Sequence, residues 1–231
     1  MPTLDSATRD RIVAAATELI MERGYEKTTM RAIAERAEVS LGSAYYYFGG
    51  KEELVQGFYL AIARRQHELL EQRIDGVTSF GKRLDACFEA FLDASDEYRA
   101  ISDSLLSFAI VPTSPLSPFS AQSRPARNQF LRTFEELVDG SDLKTDPRLR
   151  EALPELLWIA QMLIVLGWVQ DLSARQRVTR TVVKRLVPAL ARLLSAARLA
   201  PVRPFVTDAL ESLAMVRQRT YVGEQVKALG S

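Results

Sequence analysis

Residues 28–54 read TTMRAIAERAEVSLGSAYYYFGGKEEL, and this stretch decides the fold. Its spacing predicts two short helices that are joined by a tight turn. A hydroxyl at Thr28 or Thr29 can cap the first helix by accepting a hydrogen bond from an orphan amide, and Ser40 can cap the second helix, at about 41–47. Two short helices crossing closely at a small residue such as Ala34 form a helix-turn-helix.

The second helix of this pair has the size and composition of a helix that reads DNA. Such a helix enters the major groove and shows its N-terminal side chains to base edges. Neighbours on a helix point about 100° apart, so the aromatic run at 45–48 cannot share one face, and an outward tyrosine can donate to a phosphate. The next helix begins at Lys51, where free amides and the lysine charge favour phosphate. The predicted DNA contacts are Thr28, Thr29, Arg31, Ser40, Leu41, Gly42, Ser43, Tyr45, Tyr46 and Lys51, with Leu41 and Ser43 on bases and Tyr46 and Lys51 on phosphates.

This stretch resembles the DNA-binding domain of the TetR repressor family. The shared residues are Thr28, Ile33, Ala34, Ala37, Val39, Ser40, Gly42, Ser43, Tyr45, Tyr46, Phe48, Lys51, Glu52 and Leu54. Two positions depart from the family pattern. Glu38 stands where a turn glycine is usual, which implies a left-handed backbone at some cost, and Gly50 replaces a serine or asparagine. The resemblance implies a repressor that binds double-stranded operator DNA as a homodimer and responds to a small-molecule effector.

Beyond this motif the apolar residues recur with helical spacing, and no long stretch alternates with the period of a strand. We therefore predict an all-α fold of about nine or ten helices. A three-helix DNA-binding domain would span 1–53, a helical ligand-binding and dimerisation domain 54–221, and a flexible tail 222–231. Prolines and serines predict a loop at 112–125, and a last amphipathic helix is expected at 205–217.

Charge and composition narrow the function classes without selecting one. The net charge is +1, and residues 1–65 carry equal numbers of basic and acidic residues, so only the motif geometry argues for DNA. A single cysteine, Cys87, excludes an internal disulfide and fits a reducing cytoplasm. The apolar stretch 156–169, about 14 residues long, is too short to cross a bilayer and predicts a buried helix rather than a membrane partner.

Two other function classes stay open. A helical enzyme would need a catalytic set, but the chain has one histidine, His67, one cysteine, and no phosphate loop or HExxH motif. We therefore expect no enzyme activity, no cofactor and no metal site. A helical scaffold that binds only protein would also share this helical pattern. A gel shift with DNA from around the gene separates these classes.

The two long helices at 154–172 and 175–198 are apolar on more than one face. A surface helix needs only one apolar stripe, so the second stripe needs a partner. The family resemblance places the homodimer interface on this pair. The alternative is a helix at the centre of a monomeric core.

Aromatic residues on several of these helices could line a mostly apolar ligand pocket that has a few orienting polar groups. The predicted ligand contacts are Phe88, Phe91, Tyr98, Phe108, Arg127, Phe130, Phe134, Trp158, Gln161 and Met162. Their effector would be apolar or aromatic, with one hydrogen-bonding end and an anionic group if Arg127 takes part. In the alternative interpretation Gln161 bonds across the dimer, Tyr98 reaches solvent and Arg127 snorkels outward.

Overall fold

The computed structural model describes residues 4–196, and this part of the chain is all-helical, as predicted. The nine α-helices in this range are α1 (Leu4–Arg23), α2 (Met30–Arg36), α3 (Leu41–Tyr47), α4 (Lys51–Arg73), α5 (Phe80–Asp96), α6 (Arg99–Ala109), α7 (Arg124–Asp139), α8 (Pro147–Gln170) and α9 (Arg177–Ala196). The loop predicted at 112–125 lies between α6 and α7, except that its last two residues, Arg124 and Pro125, are the first residues of α7. The helix expected at 205–217, the end of the second domain at 221 and the tail at 222–231 lie outside the described residues.

The first of two hydrophobic cores joins α1, α2, α3 and the first half of α4, which together we call the headpiece. Ile12 and Ile20 of α1, Ile33 of α2 and Leu54 of α4 are fully buried in it. Apolar spacing of i, i+4 and i+8 places such residues on one helix face, so each of these helices buries a single stripe. The headpiece core also includes Ile101 and Leu105 of α6.

The second core joins the second half of α4 to α5, α7, α8 and α9, which we call the body. Its largest fully buried side chains include Phe80, Phe88, Phe134 and Trp168. Because α4 contributes Leu54 to the headpiece core and Leu70 to the body core, the predicted domain boundary at 53/54 falls at the start of a helix that both cores share.

Helix α8 is longer than the apolar stretch in the sequence suggested. It has 24 residues, and its most apolar window reaches a mean hydropathy of 1.7, so length and composition alone would let it cross a membrane. The central helix of a soluble protein can meet the same criterion. Leu153, Leu157 and Trp158 of α8 are buried in the body, whereas Leu163 and Leu166 are exposed. The sequence predicted a buried helix here, but in the single chain α8 is buried along one side only.

Candidate DNA-binding surface and ligand cavity

The two threonines before α2 have different roles. Thr29 is the N-cap, because its hydroxyl accepts a hydrogen bond from the amide of Ala32 at 3.3 Å. Thr28 is fully buried, and its hydroxyl donates to the carbonyl of Gly24 at 2.8 Å. A DNA contact through the side chain of Thr28 requires that side chain to be exposed, but it is buried.

The turn between α2 and α3 has the backbone that its sequence implied. Glu38 adopts a φ of 54°, in the left-handed region that glycine occupies without steric cost. Ser40 then caps α3 by accepting from the amide of Ser43 at 2.9 Å. Val39, in this turn, is partly buried against the headpiece core.

Five of the ten predicted DNA contacts lie on α3. Gly42 is exposed, and the exposed fractions of Leu41, Tyr45 and Tyr46 are 37%, 51% and 81%. Tyr47 is half-buried, and Phe48, the last residue in the aromatic run, is buried. The run therefore divides between solvent and core, as helix geometry predicted. Arg31 is exposed on the neighbouring α2, and Ser43 is half-buried.

Lys51 makes contacts that its sequence position did not reveal. Its ammonium donates to the carbonyls of Tyr25, Glu26 and Thr28 at 3.0, 3.4 and 3.3 Å, and it lies 4.2 Å from the centre of the Tyr25 ring. It therefore ties the connection between α1 and α2 to the start of α4. This geometry leaves the backbone amides of the first turn of α4, rather than the ammonium, as the group that can meet a phosphate.

The acidic residues that follow Lys51 are also engaged inside the headpiece. Glu52 accepts a hydrogen bond from the Tyr25 hydroxyl at 2.9 Å, and Glu53 accepts from the amide of Gly49 at 2.7 Å. Burial and the neighbouring Glu52 carboxylate raise the pKa of Tyr25 well above its ordinary value. The two glutamates thus stabilise the start of α4.

An apolar chamber of about 110 Å³ lies in the body, between α4, α5, α6, α7 and α8. Five of the predicted ligand contacts line it, namely Phe91, Arg127, Phe130, Trp158 and Met162. It adjoins an open cleft under the 110–122 segment, and the two share Leu106, Ala109, Pro118, Met162 and Val165. At this junction Phe119 packs edge-on against Trp158, with ring centres 5.0 Å apart.

The other five predicted ligand contacts lie elsewhere. Phe88 and Phe134 pack against each other in the body core, 6.0 Å apart, and are fully buried. Phe108 packs against Tyr25 of the headpiece at 5.1 Å, and Tyr98 packs against Phe58 at 5.9 Å. Helical spacing indicated the apolar faces of these helices correctly, but it could not show which aromatic residues meet one another.

Gln161, the last of the ten predicted ligand contacts, is fully buried and forms a hydrogen bond within the chain. Its Oε1 accepts a hydrogen bond from Nε2 of Gln66 at 3.0 Å, so it joins α8 to α4 and does not bond across a dimer. Gln66 Nε2 also lies 3.2 Å from the sulfur of Cys87. Complete burial raises the pKa of the Cys87 thiol to about 12, as expected for a small core residue.

The structure also adds chamber residues that the sequence analysis missed. Tyr59 of α4 lines the chamber and donates its hydroxyl to the carbonyl of Leu116 at 3.1 Å. Ser95 and Ser102 line it as well, and their hydroxyls donate to carbonyls of their own helices. Arg127 donates to the carbonyls of Pro118 and Ser120, and therefore holds the 112–125 loop rather than snorkelling outward.

The headpiece and the cavity-bearing body each match a known family model. A family model described as bacterial regulatory proteins, tetR family, matches residues 12–57. A second model, described as tetracyclin repressor-like, C-terminal domain, matches residues 83–211, more than half of the chain. The chain belongs to the TetR family of transcriptional regulators.

Curated TetR-family relatives match mainly over a short segment. The HTH-type transcriptional regulator HbdR from Aromatoleum sp. (strain CIB) is 33% identical over 98 residues, which are 42% of this chain and 43% of HbdR. SrpR from Pseudomonas putida is 36% identical over 89 residues, which are 38% of this chain and 39% of SrpR. The chain thus spans about two fifths of the length of these relatives.

Solved TetR-family structures match most of the fold. The TetR regulator from Nitrosomonas europaea has a TM-score of 0.61 at 22% identity, over 80% of this chain and 97% of the other. Thermus thermophilus FadR, a TetR-family repressor in complex with lauroyl-CoA, has a TM-score of 0.57 at 18% identity, over 78% and 92% of the two chains. At these identities the likeness concerns the fold alone.

In this TetR-family chain, α6 lies between the DNA-binding headpiece and the chamber. Ile101 and Leu105 are buried in the headpiece core, and Phe108 packs on Tyr25 of the headpiece. Leu105 also lines the chamber, together with Leu106 of the same helix. Helix α6 therefore contacts both the headpiece core and the chamber.

Exposed apolar residues on α8 and α9, here called the stripe, face solvent in the single chain. On α9 it follows the spacing i, i+4 and i+8 that places residues on one face. The exposed members are Leu163 and Leu166 of α8 and Val178, Val182, Leu186 and Leu193 of α9. These positions fall within the two helices that the sequence predicted for dimerisation.

Proposed function

We propose that this chain is a ligand-responsive transcriptional repressor that binds operator DNA as a homodimer and leaves it when a small, mostly apolar effector binds. One observation carries the proposal: Leu105 belongs both to the headpiece core and to the wall of the chamber. A molecule that changes the chamber must therefore act on the headpiece through α6.

The headpiece supports the DNA-binding part of this proposal. The exposed side chains of Leu41 and Tyr46 lie at opposite ends of α3, and Arg31 is exposed on the preceding helix. In a helix-turn-helix the second helix enters the major groove, with its N-terminal residues on base edges. Leu41 and Ser43 are thus proposed for bases, and Tyr46 and the amides of the first turn of α4 for phosphates.

The exposed stripe of α8 and α9 supports the homodimer. Contiguous apolar patches on a soluble protein mark interaction sites, and a two-fold axis presents the same patch on both copies. Two copies would then present two α3 helices to DNA. Half-sites one turn of DNA apart require these helices to be about 34–36 Å apart.

The effector response follows from differential binding. If an effector binds better to a conformation with another spacing of the two α3 helices, it lowers DNA affinity by the difference in its affinity for the two conformations. The chamber supports an apolar effector because aromatic and aliphatic side chains make up most of its wall. The structure of FadR with lauroyl-CoA shows that the same fold can hold a ligand with an apolar tail. Such a regulator would work in the cytoplasm.

Fluorescence anisotropy tests the proposal with labelled duplexes from the region around the gene. We expect specific binding in the nanomolar range, at least about a thousandfold tighter than to an unrelated duplex of equal length. Tyr46→Ala should weaken binding to both duplexes, whereas Leu41→Ala should change the preference between them. A chain that binds neither duplex would contradict a DNA-binding function and favour a scaffold that binds protein.

A reporter gene that follows the bound region tests the sign of regulation. Repression predicts that expression rises when the regulator is deleted. The related FasR from Mycolicibacterium smegmatis is described as an activator and is 37% identical over 89 residues. A fall in expression on deletion would therefore leave DNA binding intact and overturn repression.

A further inference from the structure

Two buried donors in the chamber wall have no acceptor. Trp158 and Trp168 are 3% and 1% exposed, and both line the chamber. Among the described residues, neither indole Nε1 has a hydrogen-bond partner. Buried polar groups in native proteins are nearly always bonded, so each exception calls for a partner such as a ligand or a water.

The other polar groups of the chamber already donate within the chain. The hydroxyls of Tyr59, Ser95, Ser102 and Ser123 each donate to a backbone carbonyl, and Arg127 donates to two. No aspartate or glutamate is found among the described residues that line the chamber. The chamber wall therefore contains two indole donors without an acceptor and, among the described residues, no carboxylate for a cation.

The size of the chamber sets the size of the group that fills it. Its volume of about 110 Å³ is comparable to an engineered apolar cavity, on the order of 150 Å³, that binds benzene. A group of about the size of a single aromatic ring is therefore the most that the chamber holds. A longer ligand would pass Phe119 into the adjoining cleft under the 110–122 segment.

We propose that the effector is an uncharged molecule with an apolar ring or short chain that fills the chamber and a carbonyl-type acceptor that receives a hydrogen bond from an indole N–H of Trp158 or Trp168. This inference rests on the proposed ligand response and narrows its effector class. The sequence predicted an effector with an anionic group if Arg127 takes part. The effector proposed here carries instead a neutral acceptor that bonds to a tryptophan.

Three ligands of nearly the same shape isolate the acceptor. Acetophenone carries a carbonyl, cumene carries a methyl group in the same place, and 1-phenylethylamine carries an ammonium ion there at neutral pH. Benzoate is a fourth ligand, in which the ring carries an anionic carboxylate. The chain contains two tryptophans, both in the chamber wall. A proton–nitrogen correlation spectrum of the full chain, labelled with nitrogen-15 only at the tryptophan indole nitrogens, therefore reports these two groups alone.

Acetophenone is expected to move at least one indole proton downfield, as a new hydrogen bond requires, and cumene to leave both indole protons without such a shift. Replacing the responsible residue, by Trp158→Phe or Trp168→Phe, keeps an aromatic ring but removes the donor. That variant should bind acetophenone about fivefold more weakly, the equivalent of one net hydrogen bond, and cumene within about twofold of wild type. The ratio of variant to wild-type affinity is taken for each ligand separately, which cancels the different hydrophobicity of the two ligands.

The proposal is overturned if acetophenone binds without a downfield indole shift, if none of these ligands binds, or if the ammonium ion or benzoate binds more tightly than acetophenone. The wild-type spectrum decides this even if a phenylalanine variant fails to fold. DNA binding is measured separately by anisotropy without these ligands. Loss of the indole signature with intact DNA binding overturns the effector class alone, and the signature without DNA binding overturns the regulator function alone.

Discussion

Glu38 is a non-glycine residue in a left-handed turn, and the headpiece tolerates it at a cost. A left-handed backbone costs an ordinary residue roughly 1–2 kcal/mol. Glycine avoids this cost, but part of the gain in stability is lost because glycine makes the unfolded chain more flexible. Glu38→Gly should therefore raise the free energy of unfolding by about 0.5–1 kcal/mol. Urea denaturation followed by circular dichroism measures this change.

Glu35→Gly is the matched control for that substitution. Glu35 is also exposed and lies three residues earlier, but within α2. Glycine inside a helix should lower stability by about 1 kcal/mol. Equal effects of the two substitutions, in either direction, would show that the left-handed φ of 54° at Glu38 carries no strain.

The geometry of Lys51 makes a prediction that differs from the one its sequence position supports. Its ammonium is held by three carbonyls and the face of Tyr25, so Lys51→Ala should reduce headpiece stability. The slope of log affinity against log salt should stay nearly unchanged. Arg31→Ala, at an exposed position, should instead flatten this slope by about one ion. Anisotropy titrations at several salt concentrations measure both slopes, and the opposite result would restore the ammonium of Lys51 as a phosphate contact.

Helices α4 and α8 are joined through a pair of buried amides, Gln66 and Gln161. The bond between them leaves Oε1 of Gln66 and Nε2 of Gln161 without partners among the described residues. Gln66→Leu alone should cost about 1–3 kcal/mol, because it leaves the buried amide of Gln161 without a partner. Gln161→Leu alone should cost less, because Nε2 of Gln66 keeps its contacts with the carbonyl and the sulfur of Cys87. The double substitution should cost less than the sum of the two, because it removes both polar groups. Additive effects in urea denaturation would mean that the pair is not coupled.

Asp93 of α5 connects three helices of the body. It accepts from Arg73 of α4 at 2.5 Å and from Arg180 of α9 at 2.7 Å. Burial alone would raise the pKa of Asp93, but the two arginines outweigh it and hold that pKa below its ordinary value. A lowered pKa in the folded state means that this contribution is complete above about pH 4, the unfolded value, and is lost as the pH falls through the folded pKa.

Asp93→Asn should therefore lower stability at pH 6 and weaken the loss of stability between pH 5 and pH 3. Urea denaturation across this range measures both effects. Glu89→Gln, on an exposed position of the same helix, is the charge-matched control and should leave the acid dependence close to wild type. An unchanged acid dependence in Asp93→Asn would remove this network from the acid response.

At the scale of the whole molecule, local signals predicted the fold well and the site in part. Caps such as Ser40 and the left-handed turn at Glu38 depend on neighbours in the sequence, so the motif alone indicates them. The burial of Thr28, the carbonyl contacts of Lys51 and the pairing of Gln161 with Gln66 depend on helices that meet only in the folded chain. Helical periodicity shows which face of a helix is apolar, but not whether that face meets a core, a cavity or a second copy.

The exposed stripe of α8 and α9 makes the prediction that concerns the assembly. Leu186 is 62% exposed in the single chain, near the middle of the stripe on α9. In a two-fold dimer each substitution occurs twice, so Leu186→Glu buries two like charges in one interface, which costs several kcal/mol. Light scattering at micromolar concentration should give twice 25.9 kDa for wild type and 25.9 kDa for Leu186→Glu. Met21→Glu, at a 52% exposed position of α1, should remain dimeric. A wild-type mass of 25.9 kDa, or a Leu186→Glu chain that stays dimeric, would show that this stripe does not join two copies.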